Sequence, residues 1–265
     1  MNNLKNKNII MIVIFLSATL LMATTVYFKY QVTDQGSNYN VATSTRATTG
    51  IKKPDFANMQ DVKEKKSSFI KYMLASIRSA NKEICAEKNE VKKLTTALQK
   101  NKELNSSQQT KLEKYIKYYK IKNTQTSQEQ LKLLDIKIGT APTSFILAQA
   151  ILESGWGSSR FAKNYNNYFG LHCFKDGCGV KASGANVYLE TFTDATQSVL
   201  GYYNRLNTGT KFKGFRKARH DKLPVTELLN TLEAYSELEG NEYKVRLEGV
   251  IKHNKLEQYD NIETC

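Results

Sequence analysis

The stretch PTSFILAQAILESGWGSSRF, residues 142–161, decides the fold. Pro142 suits the first turn of a helix, where its fixed φ is favourable and its missing N–H is not needed. Gly155 suits the position after a helix, where a left-handed backbone is common. The residues between them are apolar nearly all round, which is typical of a helix buried in the centre of a domain. The sequence therefore predicts a central helix over residues 142–154.

Glu153 is a carboxylate on the last turn of this apolar helix. Burial disfavours its charged form, and the partial negative charge at a helix C-terminus disfavours it again, so both effects raise its pKa. A carboxyl that stays protonated near neutral pH can act as the general acid of a glycosidase. The alternative is a Glu that reaches water or pairs with Arg160, and position alone leaves both open.

The rest of the pattern predicts a predominantly helical α+β fold. Phe69, Met73 and Ile77 fall on one face of a helix before the central one. Asp194 and Gln197 resemble a capping box that opens a later helix. The other predicted elements are a short helix over 158–163, an extended segment over 168–171, a strand over 186–192, and helices over 224–232 and 241–254.

Several motifs, in order along the chain, resemble a known family. QAILESGWGSSRFA (149–162) and NNYFGL (166–171) are similar to the signature of bacterial endo-β-N-acetylglucosaminidases, the glycoside hydrolase family 73 of flagellar muramidases and autolysins. Further segments narrow the resemblance to the Bax-type branch, which also carries a basic helical N-terminal extension. These segments are HCFKDGCG (172–179), LNT (206–208), AYSE (234–237) and NKL (254–256). The resemblance covers residues 62–256.

The resemblance implies a lysozyme-like fold, with a helical lobe and a small β-lobe facing each other across a sugar-binding cleft. It implies cleavage of the β-1,4 bond after N-acetylglucosamine in peptidoglycan, without a cofactor. On the matching positions Glu153 is the general acid, and Tyr235 is the active-site tyrosine that orients a water or steadies the oxocarbenium charge. The alternative for Tyr235 is ordinary core packing.

A second carboxylate is expected on the β-lobe, where the chain offers Glu190. Tyr188 occupies the position that is usually acidic in the Bax-type branch. Residues two apart on a strand point to the same side, so Glu190 could still reach the cleft, or it could be a solvated strand residue. Without it, the acetamido group of the substrate would supply the nucleophile.

Aromatic rings and side-chain amides near Glu153 are the predicted sugar-binding groups, because they offer flat apolar faces and hydrogen bonds. Trp156 could stack on a sugar or pack behind Glu153. Asn166 and Asn167 are expected to divide two roles, one bonding an acetamido group and the other building a turn. Tyr168 and Phe169 are expected to line the cleft floor. No metal site is predicted.

The cysteines are Cys85, Cys173, Cys178 and Cys265. Cys173 and Cys178 enclose a short glycine-containing loop, and an exported chain permits a disulfide there. Free thiols are an alternative, and so is a zinc site with His172, although no further ligand lies nearby in sequence. A bond between Cys85 and Cys265 is arithmetically possible and has no other support.

The N-terminus predicts a membrane anchor. Lys5 and Lys7 precede an uncharged run over residues 9–28, which as a helix would span the roughly 30 Å hydrocarbon core. A cleaved signal peptide is the alternative. The positive-inside rule then gives a single-pass inner-membrane protein with its catalytic domain in the periplasm or on the extracytoplasmic face. This topology argues against nucleic acid as the partner of a chain with net charge +14.

The predicted organisation has five parts: the signal anchor over 1–29, a flexible spacer over 30–55, a basic helical extension over 56–137, the lysozyme-like domain over 138–258 and a tail over 259–265. We read the lysines of the extension as a solvated face rather than a binding patch. The predicted partner is peptidoglycan and the predicted state is a monomer. Three rival functions remain: a lytic transglycosylase of the same fold, a non-catalytic wall-binding protein, and a basic membrane-surface protein with a decayed enzyme domain.

Overall fold

The computed structural model of the chain describes residues 52–122, 125–174, 178–182, 187–232, 241–262 and 264–265. Its α-helices are α1 (Val62–Asn101), α2 (Ser106–Tyr118), α3 (Ser127–Lys137), α4 (Thr143–Ser154), α5 (Arg160–Tyr165), α6 (Ala195–Thr208), α7 (Lys213–His220), α8 (Val225–Asn230) and α9 (Glu242–His253). Short 3-10 helices cover Thr210–Phe212 and Leu256–Tyr259.

Side-chain caps define where several helices begin. Asp61 accepts a hydrogen bond from the backbone N–H of Glu64 at the start of α1. Reciprocal capping boxes, which satisfy two otherwise unpaired N–H groups, open α2 and α3. Asp194 accepts from the N–H of Gln197, so the helix predicted to start there is confirmed as α6.

The central helix predicted from the sequence is confirmed as α4. It begins one residue later than predicted, because Pro142 occupies the N-cap position. Every residue of α4 except Leu152 and Glu153 is buried. Gly155 ends the helix with φ +55°, the left-handed conformation that glycine adopts without steric cost. Helix α4 packs against α1, α9 and the last 3-10 helix.

A small antiparallel sheet contains β1 (His172–Cys173), β2 (Val180–Lys181) and β3 (Tyr188–Leu189), in the order β1-β3-β2. The strand predicted over 186–192 is therefore shorter in the described residues. Glu190 still donates its N–H to the Leu171 carbonyl, but Phe192 donates to Tyr165, outside the sheet. The predominantly helical α+β fold is confirmed and is consistent with a lysozyme-like fold.

The helices of the predicted extension share one hydrophobic core with the rest of the chain. Phe69, Met73 and Ile77 are fully buried, which confirms the predicted apolar face of α1. Helix α1 packs against α3, α4 and α6, so it lies behind the central helix rather than apart from it. The predicted boundary between residues 137 and 138 coincides with the end of α3.

Two disulfides cross-link the chain. The predicted bond between Cys173 and Cys178 is confirmed. A second bond joins Cys85 of α1 to Cys265. Cys265 also donates its N–H to the Thr140 hydroxyl at 3.0 Å, so this bond ties α1 to the segment just before α4.

None of the helices that the structure describes is long and apolar enough to cross a membrane. The predicted anchor over 1–29, and the predicted spacer up to residue 51, lie outside the described residues. The anchor stays a prediction.

Candidate active site

Glu153 lies at the C-terminal end of α4, where α9 passes over it. The hydroxyl of Tyr243 on α9 donates a hydrogen bond of 2.7 Å to Glu153 Oε1, and Tyr243 itself is buried. Burial raises the pKa of the Glu153 carboxyl, and the Tyr243 hydrogen bond offsets part of that rise. The guanidinium of Arg160, the alternative partner predicted for Glu153, lies over the ring of Phe161.

The second oxygen of Glu153 faces Gly170. A Cβ atom built on Gly170 would lie 3.5 Å from Glu153 Oε2, and Gly170 has φ +60°. Asn167 fixes this turn: its side-chain N–H groups donate to the carbonyls of Leu171 and Glu190, and its Oδ1 accepts from the Leu171 N–H at 3.0 Å. One buried amide therefore ties the backbone beside Glu153 to the backbone of Glu190.

Glu190 lies at the end of β3, and its side chain forms an ion pair. Its Oε1 is 3.3 Å from Arg205 Nη2, and only 16% of the side chain is exposed. The same Arg205 nitrogen donates to the His172 carbonyl at 2.7 Å. The second-carboxylate role of Glu190 stays a prediction, and Arg205 is a partner that the sequence did not reveal.

The two predicted sugar-binding asparagines both bond to the protein itself. Asn166 donates to the carbonyls of Phe192 and Thr193, and its Oδ1 accepts from the Lys53 ammonium at 2.7 Å. Asn167 is buried and bonded as described above. An acetamido contact by Asn167 would have to replace one of these hydrogen bonds, whereas the Asn166 oxygen has a second lone pair.

The two aromatic residues predicted to line the cleft floor lie in the core. Tyr168 and Phe169 have 0% and 1% of their surface exposed. Phe169 stacks on Tyr202 of α6 with ring centroids 4.4 Å apart. The structure thus places these rings beneath the surface, and a sugar could contact them only if this core opened.

Trp156 is partly buried against α1. Its ring meets the edge of Phe69 with centroids 5.7 Å apart, and the Lys66 ammonium lies 5.0 Å from its centroid. These contacts place one side of Trp156 against α1, and its role in sugar stacking stays a prediction. Tyr235, the predicted active-site tyrosine, lies outside the described residues.

Sequence reasoning missed Tyr243 and Phe174. Tyr243 shares an apolar face of α9 with Leu247 and Ile251, so its spacing resembles that of any core residue. Phe174 is 77% exposed, and the Arg205 guanidinium lies 4.9 Å from its ring centroid.

Within the part of the chain that the structure describes, no group of His, Cys, Asp and Glu could hold a metal ion.

Comparison with known proteins relates the chain to a family. Residues 128–256 match a family model described as glucosaminidase, mannosyl-glycoprotein endo-beta-N-acetylglucosaminidase. Protein bax of Escherichia coli (strain K12) is 28% identical over 209 residues, 76% of this chain and 74% of that protein. This similarity supports a Bax-type glucosaminidase-like protein. No solved structure matches it significantly. The glucosaminidase family implies a glycosidase and suggests a function of the peptidoglycan-hydrolase type.

The glucosaminidase match contains Glu153, Glu190, Arg205 and Tyr243, but it excludes α1 and α2. It begins within α3 and ends at the start of the last 3-10 helix. Helix α1, which packs against α4, therefore lies outside the matched residues.

Proposed function

We propose that the protein is a peptidoglycan hydrolase that cleaves the β-1,4 bond after N-acetylglucosamine, with Glu153 as the general acid. The observation that supports this most strongly is the environment of one carboxyl group. Glu153 is desolvated, one of its oxygens is held by Tyr243, and the other faces a glycine. Desolvation is the usual means by which a glycosidase keeps its acid protonated.

In this proposal each oxygen of that carboxyl has its own role. Tyr243 donates to Oε1 and orients the group, which leaves Oε2 as the proposed proton donor. Gly170 leaves the space beside Oε2 open, since it has no side chain. In the proposed reaction Oε2 gives its proton to the glycosidic oxygen as the bond to the sugar breaks, and an oxocarbenium-like centre develops.

Product analysis tests the proposal. Digested peptidoglycan should carry new reducing N-acetylglucosamine ends, measured by mass spectrometry after borohydride reduction. Anhydromuramic acid ends would instead identify a lytic transglycosylase. Binding without any new ends would identify a non-catalytic wall-binding protein.

We also propose Glu190 as the second carboxylate, which activates the water that attacks the sugar. Glu190→Gln should lower turnover by about 100-fold or more, the scale of a lost general base. Glu242→Gln is the matched control, because Glu242 likewise pairs with an arginine, Arg246, but is exposed on α9. If Glu190→Gln stays within a few-fold of wild type, the nucleophile comes from the acetamido group of the substrate.

The hydrogen bond from the Tyr243 hydroxyl leads to a separate prediction about the pH dependence of kcat. Its hydrogen bond stabilises the charged form of Glu153, so Tyr243→Phe should raise the pKa of that carboxyl further. Activity requires protonated Glu153, and the basic limb of the pH profile of kcat should therefore move to higher pH. Tyr259→Phe, on the last 3-10 helix, is the control. An unshifted profile in Tyr243→Phe would contradict the assignment.

We propose that residues 1–29 anchor the enzyme in the inner membrane, with the catalytic part in the periplasm. The uncharged run over 9–28 supports this, and so do two disulfides, which persist in oxidising compartments. Protease added to intact spheroplasts should digest the catalytic part. Full protection that ends only on lysis would contradict the topology.

A further inference from the structure

Residues that precede the glucosaminidase match pack directly on the turn that ends α4. Phe56 is almost fully buried, and its ring lies 5.3 Å from that of Phe69 and 5.7 Å from that of Tyr72. On its other side is Gly157: a Cβ atom there would lie only 2.5 Å from Phe56 Cδ2. The ring of Phe56 thus fills the space that a side chain at position 157 would need.

The turn over residues 155–157 has an unusual backbone. Gly155, Trp156 and Gly157 have φ values of +55°, +58° and +77°. A left-handed conformation is unfavourable for a residue with a Cβ atom, so Trp156 needs contacts that hold it there. It receives them from α1, through the ring of Phe69 and the ammonium of Lys66.

The turn is hydrogen-bonded to residues on both sides of Glu153. Trp156 donates its N–H to the Ile151 carbonyl at 3.3 Å. The N–H of Gly157 donates to Ser154 Oγ at 2.8 Å. A displacement of the turn would therefore move the last turn of α4, which carries Glu153.

Lys53 fixes the segment that carries Phe56. Its ammonium donates to the Lys163 carbonyl at 2.9 Å and to Asn166 Oδ1 at 2.7 Å, at the C-terminal end of α5. The Ser158 hydroxyl also contacts the Phe56 carbonyl. The segment over 53–56 therefore runs from the end of α5 to the turn after Glu153, and both of its ends are attached.

We infer that Phe56 is a positioning residue for Glu153: it holds the 155–157 turn, and through it the carboxyl that meets Tyr243. The inference rests on the proposed function of Glu153. It also means that the matched domain needs a residue from the N-terminal segment for full activity.

Phe56→Ala in the full chain tests this inference. Trp156 is the only tryptophan of the chain, so its emission reports on the turn directly. We expect a red-shifted emission, a fall in kcat of roughly 10- to 100-fold with KM little changed, and a basic pH limb moved to lower pH as water reaches Glu153. Phe56→Leu should restore most of the kcat. Val62→Ala is the control, because Val62 is an exposed apolar residue nearby.

The outcomes separate the two claims. A red-shifted emission with wild-type kcat and pH profile would overturn the positioning role while leaving Glu153 as the acid. A wild-type protein that releases no glycan ends would overturn both. If Phe56→Ala fails to fold, Phe56→Leu and Phe56→Tyr replace it. A kcat that falls as the emission of Trp156 shifts to the red supports the inference. A kcat that does not change with the emission shift overturns the inference.

Discussion

Glu153→Gln should abolish glycan cleavage while peptidoglycan binding stays nearly unchanged. Gln keeps the shape of the side chain and can still accept a hydrogen bond from Tyr243, but it has no proton to give to the glycosidic oxygen. We expect turnover to fall by about 1,000-fold, within the range for loss of a general acid. Release of reducing ends measures turnover, and co-sedimentation with purified peptidoglycan measures binding.

The stability of this variant gives a second, independent readout. The folded state raises the pKa of Glu153, so the native protein binds more protons than the unfolded chain at pH values between the ordinary carboxyl pKa and the raised one. The contribution of Glu153 to stability is therefore lost as the pH rises through its folded pKa. At neutral pH Glu153→Gln should unfold at a slightly higher temperature than wild type, as expected where an active site is strained for function.

The control for Glu153→Gln is Glu257→Gln, an exposed carboxylate on the 3-10 helix that packs against α4. It should match wild type in turnover and in melting temperature. Equal turnover in Glu153→Gln and wild type would end the catalytic assignment. A loss of sedimentation together with turnover would point to a binding role for the carboxyl.

Removing the bond between Cys85 and Cys265 should cost far more stability than removing the bond between Cys173 and Cys178. The first closes a loop of 180 residues and the second a loop of 5. Loop-closure entropy of the unfolded chain then gives about 5 kcal/mol for the long loop and about 2 kcal/mol for the short one. The free energy of unfolding in urea, measured for the two double Cys→Ser variants, tests the difference.

The two bonds should also differ in their effect on turnover. The short loop starts at β1, so Cys173→Ser with Cys178→Ser should loosen the β-lobe and lower turnover under oxidising conditions. Removing the bond that closes the long loop should lower turnover mainly because a smaller fraction of the protein is folded. Equal free energies of unfolding for the two variants would contradict the loop-length argument. Unchanged turnover in the short-loop variant would contradict a role for the Cys173–Cys178 bond in activity.

The central helix could be predicted because its signals are local. An apolar run, a proline before it and a glycine after it specify α4 without reference to any other part of the chain. The strand predicted over 186–192 is longer than the strand in the structure. Its length depends on hydrogen bonds to distant residues: Glu190 donates its N–H to the Leu171 carbonyl, whereas Phe192 donates to the Tyr165 carbonyl, outside the sheet. Such long-range hydrogen bonds leave no periodic signal in the sequence.

In the candidate site too, features with local signals could be predicted from the sequence, whereas features that depend on distant contacts could not. Glu153 stands out locally as a charged residue on an apolar helix, so its raised pKa could be anticipated. Tyr243 lies 90 residues away, and only the packing of α9 on α4 brings it to the carboxyl. Asn166 and Asn167 are of a residue type that often binds sugars, but their partners include backbone atoms and a lysine that are distant in sequence.

The bond between Cys85 and Cys265 makes a closed covalent ring of everything between these residues, including α4 and α9. A protease that nicks the backbone once inside this ring cannot release a fragment. The nicked protein should keep its apparent mass on a non-reducing gel and separate into two pieces only after a thiol is added. Where proteases are abundant, this ring would hold together a chain that a single cut would otherwise split.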